Sequence, residues 1–207
     1  MLLILLLTLI PLTLSLPTED PSILMLQVKL STLATGLGLV FALLNIHGLL
    51  KPADFAAAAR RFPRHTKMGW ALTLAATAAF LYYVSLETVA EFTAMKPFLF
   101  LLFAGVGLGT CIFVQDFLAV RGLAALMLIL AKLVTDNARM VETDWRLVMV
   151  TWAYVWVFFG MWLTISPWRL RNMIAWATES EQRTRILSGV RVAFGLFILV
   201  LGLTVFR

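Results

Sequence analysis

The chain has 207 residues, of which 61% are hydrophobic and 14% are charged, whereas an ordinary soluble domain is about 45–50% apolar and about 25% charged. Its mean hydropathy of +0.93 has the same cause, too little polar surface to coat a soluble globule. The composition excludes a soluble enzyme, a disordered chain and a nucleic-acid-binding domain built on a basic surface. It indicates a protein embedded in a bilayer. In such a protein the distribution of the net charge of +6 among the loops indicates the orientation in the membrane.

The first 16 residues form an apolar segment that is shorter than the about 20 residues a membrane-spanning helix needs. Pro11 interrupts this segment, and Thr13 and Ser15 are small residues at the positions that favour cleavage after Ser15. No Lys or Arg precedes the apolar run, although a secretory signal normally begins with one. Two interpretations therefore stay open, a cleaved signal peptide over 1–16 or a retained short N-terminal anchor.

Residues 17–207 are predicted to form one membrane domain, an all-α bundle of six transmembrane helices. The six apolar segments cover about 23–50, 69–86, 97–114, 119–136, 146–165 and 187–206. Only Gln115, Asp116 and Arg121 are polar between the third and fourth segments, which predicts a tight hairpin there. The alternative is a re-entrant segment over 98–109, where three glycines loosen a helix.

Two loops hold most of the positive charge. Residues 51–67 contain five Lys or Arg and one Asp, and residues 167–191 contain five Arg and two Glu. With six spans both loops fall on the same side of the membrane, and the positive-inside rule makes that side the cytoplasm. We therefore predict a multi-pass protein of the bacterial inner (cytoplasmic) membrane with both basic loops in the cytoplasm.

Both basic loops are predicted to contain a short amphipathic helix that lies on the membrane surface. Pro52 and Pro167 suit the first turn of such a helix, and Ser166 is a good N-cap for the second. We expect the cations of these loops to contact lipid headgroups or an acidic partner, although loops that only set the topology have the same composition. These cations are Arg60, Arg61, Arg64, Lys67, Arg169, Arg171, Arg183 and Arg185.

The second loop and its flanking spans carry one resemblance. Residues 159–202 read FGMWLTISPWRLRNMIAWATESEQRTRILSGVRVAFGLFILVLG, with Pro167, Arg169, Arg171, Arg185 and Gly189 as the matching positions. This stretch, about a fifth of the chain, resembles a small bacterial inner-membrane family of two helices joined by a Pro-led basic linker. That family has no established activity, so the resemblance implies a location and no chemistry.

Charges inside a membrane are costly and are functional candidates by default. Asp116 and Arg121 are the best candidates for a buried polar pair. If the segments form a tight hairpin, both residues lie at the membrane interface, where they form an ion pair or cap a helix end. If they form a deeper span, both are buried and must form an ion pair with each other. The connection between the fourth and fifth spans has the densest polar set, which we interpret as a solvated loop with mutual salt bridges. Its members are Asp136, Asn137, Arg139, Glu142, Asp144 and Arg146.

The sequence predicts no metal site and no cofactor. His47 and His65 are the two histidines, and neither has a second ligand three or four residues away. The positions of His47 and His65 are also unsuited to the two axial ligands of a haem bound inside a helical bundle. The single cysteine, Cys111, excludes an intrachain disulfide.

Three spans have distinctive helix faces. Small residues on the first and second spans predict close helix packing or docking on another membrane subunit. A Trp-rich face on the fifth span predicts packing against another helix or against lipid, with a quinone or lipid groove as the alternative. The face on the first span consists of Ser31, Thr35, Gly38 and Ala42, and the face on the second span consists of Thr73, Ala76 and Ala79. The Trp-rich face on the fifth span consists of Trp145, Met149, Trp152, Trp156 and Phe159.

Three classes of function remain. The favoured one is an integral membrane protein without a recognisable catalytic site, an accessory or assembly subunit or a lipid-interacting factor. Its expected partners are anionic membrane lipids, other membrane subunits or further copies of itself, and not nucleic acid. The alternatives are a small transporter or channel with Asp116 and Arg121 at its gate or binding site, and a lipid-modifying enzyme with His47 or His65 as base.

Overall fold

The structure is a computed structural model that describes residues 29–86 and 90–206, and of residues 90–94 only the backbone. The N-terminal segment 1–16 and the start of the first predicted span lie outside the described residues. The described chain is all-α. Its helices are α1 (Leu30–Leu50), α2 (Pro52–Arg61), a 3-10 turn (Phe62–Arg64), α3 (Thr66–Leu86), α4 (Ala90–Phe113), α5 (Leu118–Ala138), α6 (Arg146–Ile165), α7 (Trp168–Ala177) and α8 (Glu181–Thr204).

Six of these helices, namely α1, α3, α4, α5, α6 and α8, are long and apolar enough to cross a membrane. Each contains 19 or more residues in its candidate span, and a bilayer core needs about 20. The prediction of an all-α helical bundle is confirmed, and the six helices fit a multi-pass membrane protein.

Two helices begin six or more residues before their apolar segments. The helix α8 begins at Glu181, six residues before the predicted span, because Ser180 accepts a hydrogen bond from the Arg183 N–H and caps it. The helix α4 begins at Ala90, with Pro97 inside it. It then runs unbroken across 98–109 to Phe113, so the structure has the predicted hairpin and not a re-entrant segment there.

The hairpin between α4 and α5 turns over residues 114–117. Phe117 adopts a left-handed backbone conformation with φ of 55°, and it directly precedes α5. A non-glycine residue rarely adopts this conformation. Phe117 also packs beside Val120, Ala124 and Leu163, which places the turn next to the start of α5 and the end of α6.

The helices α1 and α8 form an antiparallel pair that approaches most closely at glycines. A Cβ atom placed on Gly38 would lie 2.7 Å from the Gly195 carbonyl oxygen, and one on Gly195 would lie 2.8 Å from the Ala42 nitrogen. A Cβ atom placed on Gly202 would lie 2.6 Å from the Thr35 hydroxyl oxygen. Three of the four small residues predicted on the first span therefore form this interface.

A second close approach joins α3 to α5. A Cβ atom on Gly122 would lie 2.7 Å from the Thr73 nitrogen. Ala76 is buried in the apolar cluster that α3 and α5 share. The predicted small-residue face of the second span thus packs inside the bundle.

The main apolar core joins α1, α5, α6 and α8. Trp152 of α6 lies at its centre and makes edge-to-face contacts with Phe41 of α1 and Phe194 of α8, with ring centroids 5.4 and 5.3 Å apart. Met149 is fully buried in the same core. The Trp-rich face of the fifth span therefore packs against neighbouring helices over much of its length.

Candidate functional site

The first basic loop folds into α2 because its sequence suits both helix ends. Pro52 occupies the first turn together with Asp54, and Arg60 and Arg61 occupy the last turn. An acidic residue near a helix N-terminus and basic residues near its C-terminus complement the helix dipole. The Phe55 ring faces α1, where it would lie 3.0 Å from a Cβ on Gly48, so α2 packs against the bundle.

The second basic loop folds into α7, though its predicted cap is wrong. Ser166 makes no side-chain cap hydrogen bond, because Pro167 occupies the N-cap position and Ser166 terminates α6. Leu170 faces the bundle beside Val120 and Ala124 of α5.

An arginine fastens the two loops to each other. Arg60 donates one hydrogen bond from Nε to the Thr178 hydroxyl (2.9 Å) and one from Nη2 to the Thr178 carbonyl oxygen (2.5 Å). Thr178 is buried and ends α7, so Arg60 places a cation at a helix C-terminus, where the dipole favours it. The two loops predicted on one side of the membrane are therefore held together at one end of the bundle, here called the linker end.

Three of the eight predicted contact cations have partners within the protein. Arg60 binds Thr178, Arg183 pairs with Glu179 and lies 5.2 Å over the Trp176 ring, and Arg169 lies 5.2 Å over Trp162 and 4.9 Å over Trp168. Such cation–π contacts orient a guanidinium at little cost when it is exposed.

The other five have exposed side chains, and none takes part in an ion pair within residues 29–86 and 90–206. We call these residues the five exposed cations. They are Arg61, Arg64, Lys67, Arg171 and Arg185.

The predicted buried pair of Asp116 and Arg121 is not formed. Both side chains are exposed, Asp116 on the turn before α5 and Arg121 in the first turns of that helix. The ion pairs of the described residues do not join them. The physical reason is the hairpin, which brings both residues to the linker end of the bundle and not between its helices.

The two histidines have separate surroundings. His65 precedes α3, and its Nδ1 atom accepts a hydrogen bond from the Met68 N–H (3.2 Å), which satisfies one of the free donors of that helix N-terminus. His47 is exposed in the last turn of α1. Within the described part of the chain no three His, Cys, Asp or Glu side chains come together to hold a metal ion. The capping role of His65 was not predicted from the sequence, although its position directly after Pro63 and Arg64 was a usable signal.

The polar set between α5 and α6 serves local structure. Lys132 pairs with Asp136 one turn away (2.6 Å), and Arg146 donates to the Val141 carbonyl oxygen (2.9 Å). Asn137 is buried and donates to the Leu133 carbonyl oxygen (2.8 Å). The set contributes contacts within and beside α5.

Three cations counted in the second basic loop, Arg183, Arg185 and Arg191, lie inside α8. Arg191 counts toward the second basic loop by charge, but the structure places it inside α8, ten residues after Glu181. Hydropathy finds only the apolar part of α8 and cannot place a charge relative to the capped helix start.

Comparison with family models, with curated proteins and with solved structures finds no match to this chain.

Proposed function

We propose that this chain is a non-catalytic protein of the bacterial inner membrane whose linker end lies in the cytoplasm and binds anionic lipid headgroups. In this role it acts as a lipid-interacting factor or as an accessory or assembly subunit. The observation that carries the proposal is the group of five exposed cations at one end of the bundle.

The energetics favour an anionic membrane surface as the ligand. A cation close to an anionic leaflet contributes about 1 kcal/mol, and five cations on one end act together. The exposed side chains of Trp168 and Trp176 accompany them on α7, and tryptophan is enriched where a protein crosses the headgroup layer. Arg60 joins α2 to the end of α7, so Arg61 of α2 and Arg171 of α7 are held in a fixed relation.

The five-site variant Arg61→Gln, Arg64→Gln, Lys67→Gln, Arg171→Gln and Arg185→Gln tests this proposal. It leaves Arg60 in place, so the link between the loops is kept. In nanodiscs of equal parts phosphatidylglycerol and phosphatidylcholine, we expect the wild-type protein to retain phosphatidylglycerol over phosphatidylcholine by about fivefold, the ratio that about 1 kcal/mol gives. Native mass spectrometry at gentle activation measures this ratio, and the variant, which keeps Arg121 and Arg169 at this end, is expected to lower it.

The control removes charge at the other end of the bundle. Lys29 and Arg139 are exposed, and Lys29→Gln with Arg139→Gln is expected to leave the lipid ratio unchanged. An unchanged preference in the five-site variant would overturn headgroup binding by the linker end. Native mass spectrometry of the protein extracted from its host's membranes distinguishes a subunit from a lipid-interacting factor. A second polypeptide present at fixed stoichiometry identifies a subunit, and its absence identifies a lipid-interacting factor.

A further inference from the structure

The guanidinium of Arg169 is positioned by two tryptophan rings at the linker end. Its central carbon lies 5.2 Å from the centre of the Trp162 ring and 4.9 Å from the centre of the Trp168 ring. Both distances are within the range of a cation–π interaction, which is strongest with tryptophan. Trp162 belongs to the last turn of α6 and Trp168 begins α7. The two rings therefore come from either side of the bend between these helices and hold the guanidinium at that bend.

The N–H groups of this guanidinium have no oxygen acceptor in the part of the chain that the structure describes. Neither ion pair found there involves Arg169, and no side-chain hydrogen bond does. Its side chain is exposed. A guanidinium carries five N–H donors, and a contact with a ring orients the group without giving those donors an oxygen. Arg169 is thus a cation with a restricted position and free donors.

Two other arginines of the linker end use their donors within the protein. Arg60 donates two hydrogen bonds to the residue that ends α7. Arg183 also lies over a ring, that of Trp176, but it pairs with Glu179 and donates to the Trp176 carbonyl oxygen (3.1 Å). Of the two arginines that contact tryptophan in the described residues, only Arg169 is left without an oxygen acceptor.

The place of Arg169 in the chain suits the headgroup layer. The span α6 ends at Ile165, four residues earlier. The side chain of Trp168 is 45% exposed, and tryptophan is enriched where a protein crosses the headgroups. In a bilayer spanned by α6, the acceptor that every phospholipid offers at this level is the phosphate group.

The chemistry of arginine matches that acceptor. Two N–H groups of one guanidinium donate parallel hydrogen bonds to two oxygens of a phosphate, and the ammonium group of lysine cannot reproduce this bidentate geometry. A guanidinium that is already oriented loses less rotational freedom when it forms this pair. The two rings therefore prepare Arg169 for a phosphate.

We infer that Arg169 binds the phosphodiester of one phospholipid at the linker end through a bidentate pair of hydrogen bonds. The lipid is recognised by its phosphate and not by its net charge, so zwitterionic and anionic phospholipids both fit. The inference rests on the proposed function, because the linker end must lie at the headgroups. It adds a site for a single lipid, whereas the five exposed cations respond to the net charge of the membrane.

The variant Arg169→Lys tests this site, because it keeps the charge and removes the bidentate geometry. In nanodiscs of phosphatidylcholine alone, native mass spectrometry at strong activation is expected to find one lipid on the wild-type protein. The fraction of protein that keeps this lipid is expected to fall about tenfold in Arg169→Lys, the effect of losing one charge-assisted hydrogen bond. Arg171→Lys makes the same exchange at an exposed arginine of the same helix and is expected to keep the lipid.

The variant Trp168→Leu tests the contribution of the rings. It leaves Arg169 in place and removes the ring that lies nearer to the guanidinium. We expect lipid retention to fall by about two- to fivefold, the value of one exposed cation–π contact. Trp176→Leu is the matched control, because Trp176 is an exposed tryptophan of α7 that contacts Arg183, and it is expected to keep the lipid.

Free phosphate is another source of the same oxygen geometry. Lipid-free protein in detergent with added inorganic phosphate is expected to show no phosphate adduct under activation that leaves the phospholipid bound. Such an adduct, a wild-type protein that keeps no lipid, or equal retention in Arg169→Lys and Arg171→Lys would overturn the inference. Failure of the proposed function looks different, because it shows as an unchanged phosphatidylglycerol preference in the five-site variant, which keeps Arg169.

Discussion

Replacing Gly195 by alanine is expected to lower the free energy of unfolding by about 2 kcal/mol. The new Cβ atom would lie 2.8 Å from the Ala42 nitrogen and 2.9 Å from the Gly38 carbonyl oxygen. Both are backbone atoms, so no side chain can rotate away and the two helices must move apart. Overpacking of this kind costs about 1–3 kcal/mol, and the better helix propensity of alanine offsets only part of it. Unfolding by SDS in mixed micelles, followed by circular dichroism, measures the change.

The matched control is Gly105→Ala on α4. No atom lies within 4 Å of a Cβ placed on Gly105, so only the propensity term remains, and we expect a gain of up to about 1 kcal/mol. The same substitution is thus expected to change the free energy of unfolding in opposite directions at Gly195 and Gly105, and the difference is due to the close approach of α1 and α8. Equal effects at the two positions would show that this helix pair is packed differently.

Replacing Trp152 by alanine is expected to cost about 3–5 kcal/mol, the range for truncating a buried tryptophan. Trp152 is 8% exposed and contacts Phe41, Phe194 and Trp156. Packing drives helix association where the surrounding lipid is as apolar as the core, so the cavity weakens the contact of α6 with α1 and α8. The same SDS titration, followed by far-ultraviolet circular dichroism, measures the loss.

Trp145→Ala is the control for this substitution. Trp145 begins the same face of α6 but is 50% exposed, and its ring pairs with Phe197 at 6.5 Å, so we expect a loss of about 1 kcal/mol, the value of one aromatic pair. Comparable losses at Trp145 and Trp152 would contradict a core centred on Trp152.

Much of the helical architecture was predictable because it depends on local sequence. Long apolar segments place the six spans, and Pro52 places α2. The small residues Gly38 and Ala42 were also predictable as a packing face, since close approach needs small side chains whatever the partner.

What the sequence did not predict depends on contacts between distant residues. The small residues on α1 do not indicate that α8 is the helix that packs against them. The hydrogen bonds from Arg60 to Thr178 join residues 118 positions apart, so Arg60 was grouped with the exposed cations. Arg191 was counted with the second basic loop, because hydropathy alone does not show that α8 begins as early as Glu181.

The proposed function requires that the linker end face the cytoplasm, and labelling of introduced cysteines tests this requirement most directly. In a Cys111→Ala background, Arg171→Cys marks the linker end, and Glu142→Cys marks the opposite end; both positions are exposed. In intact bacterial spheroplasts, a membrane-impermeant maleimide is expected to label the cysteine at position 142 at once and the one at position 171 only after permeabilisation. Immediate labelling at position 171 with protection at position 142 would contradict the proposed orientation.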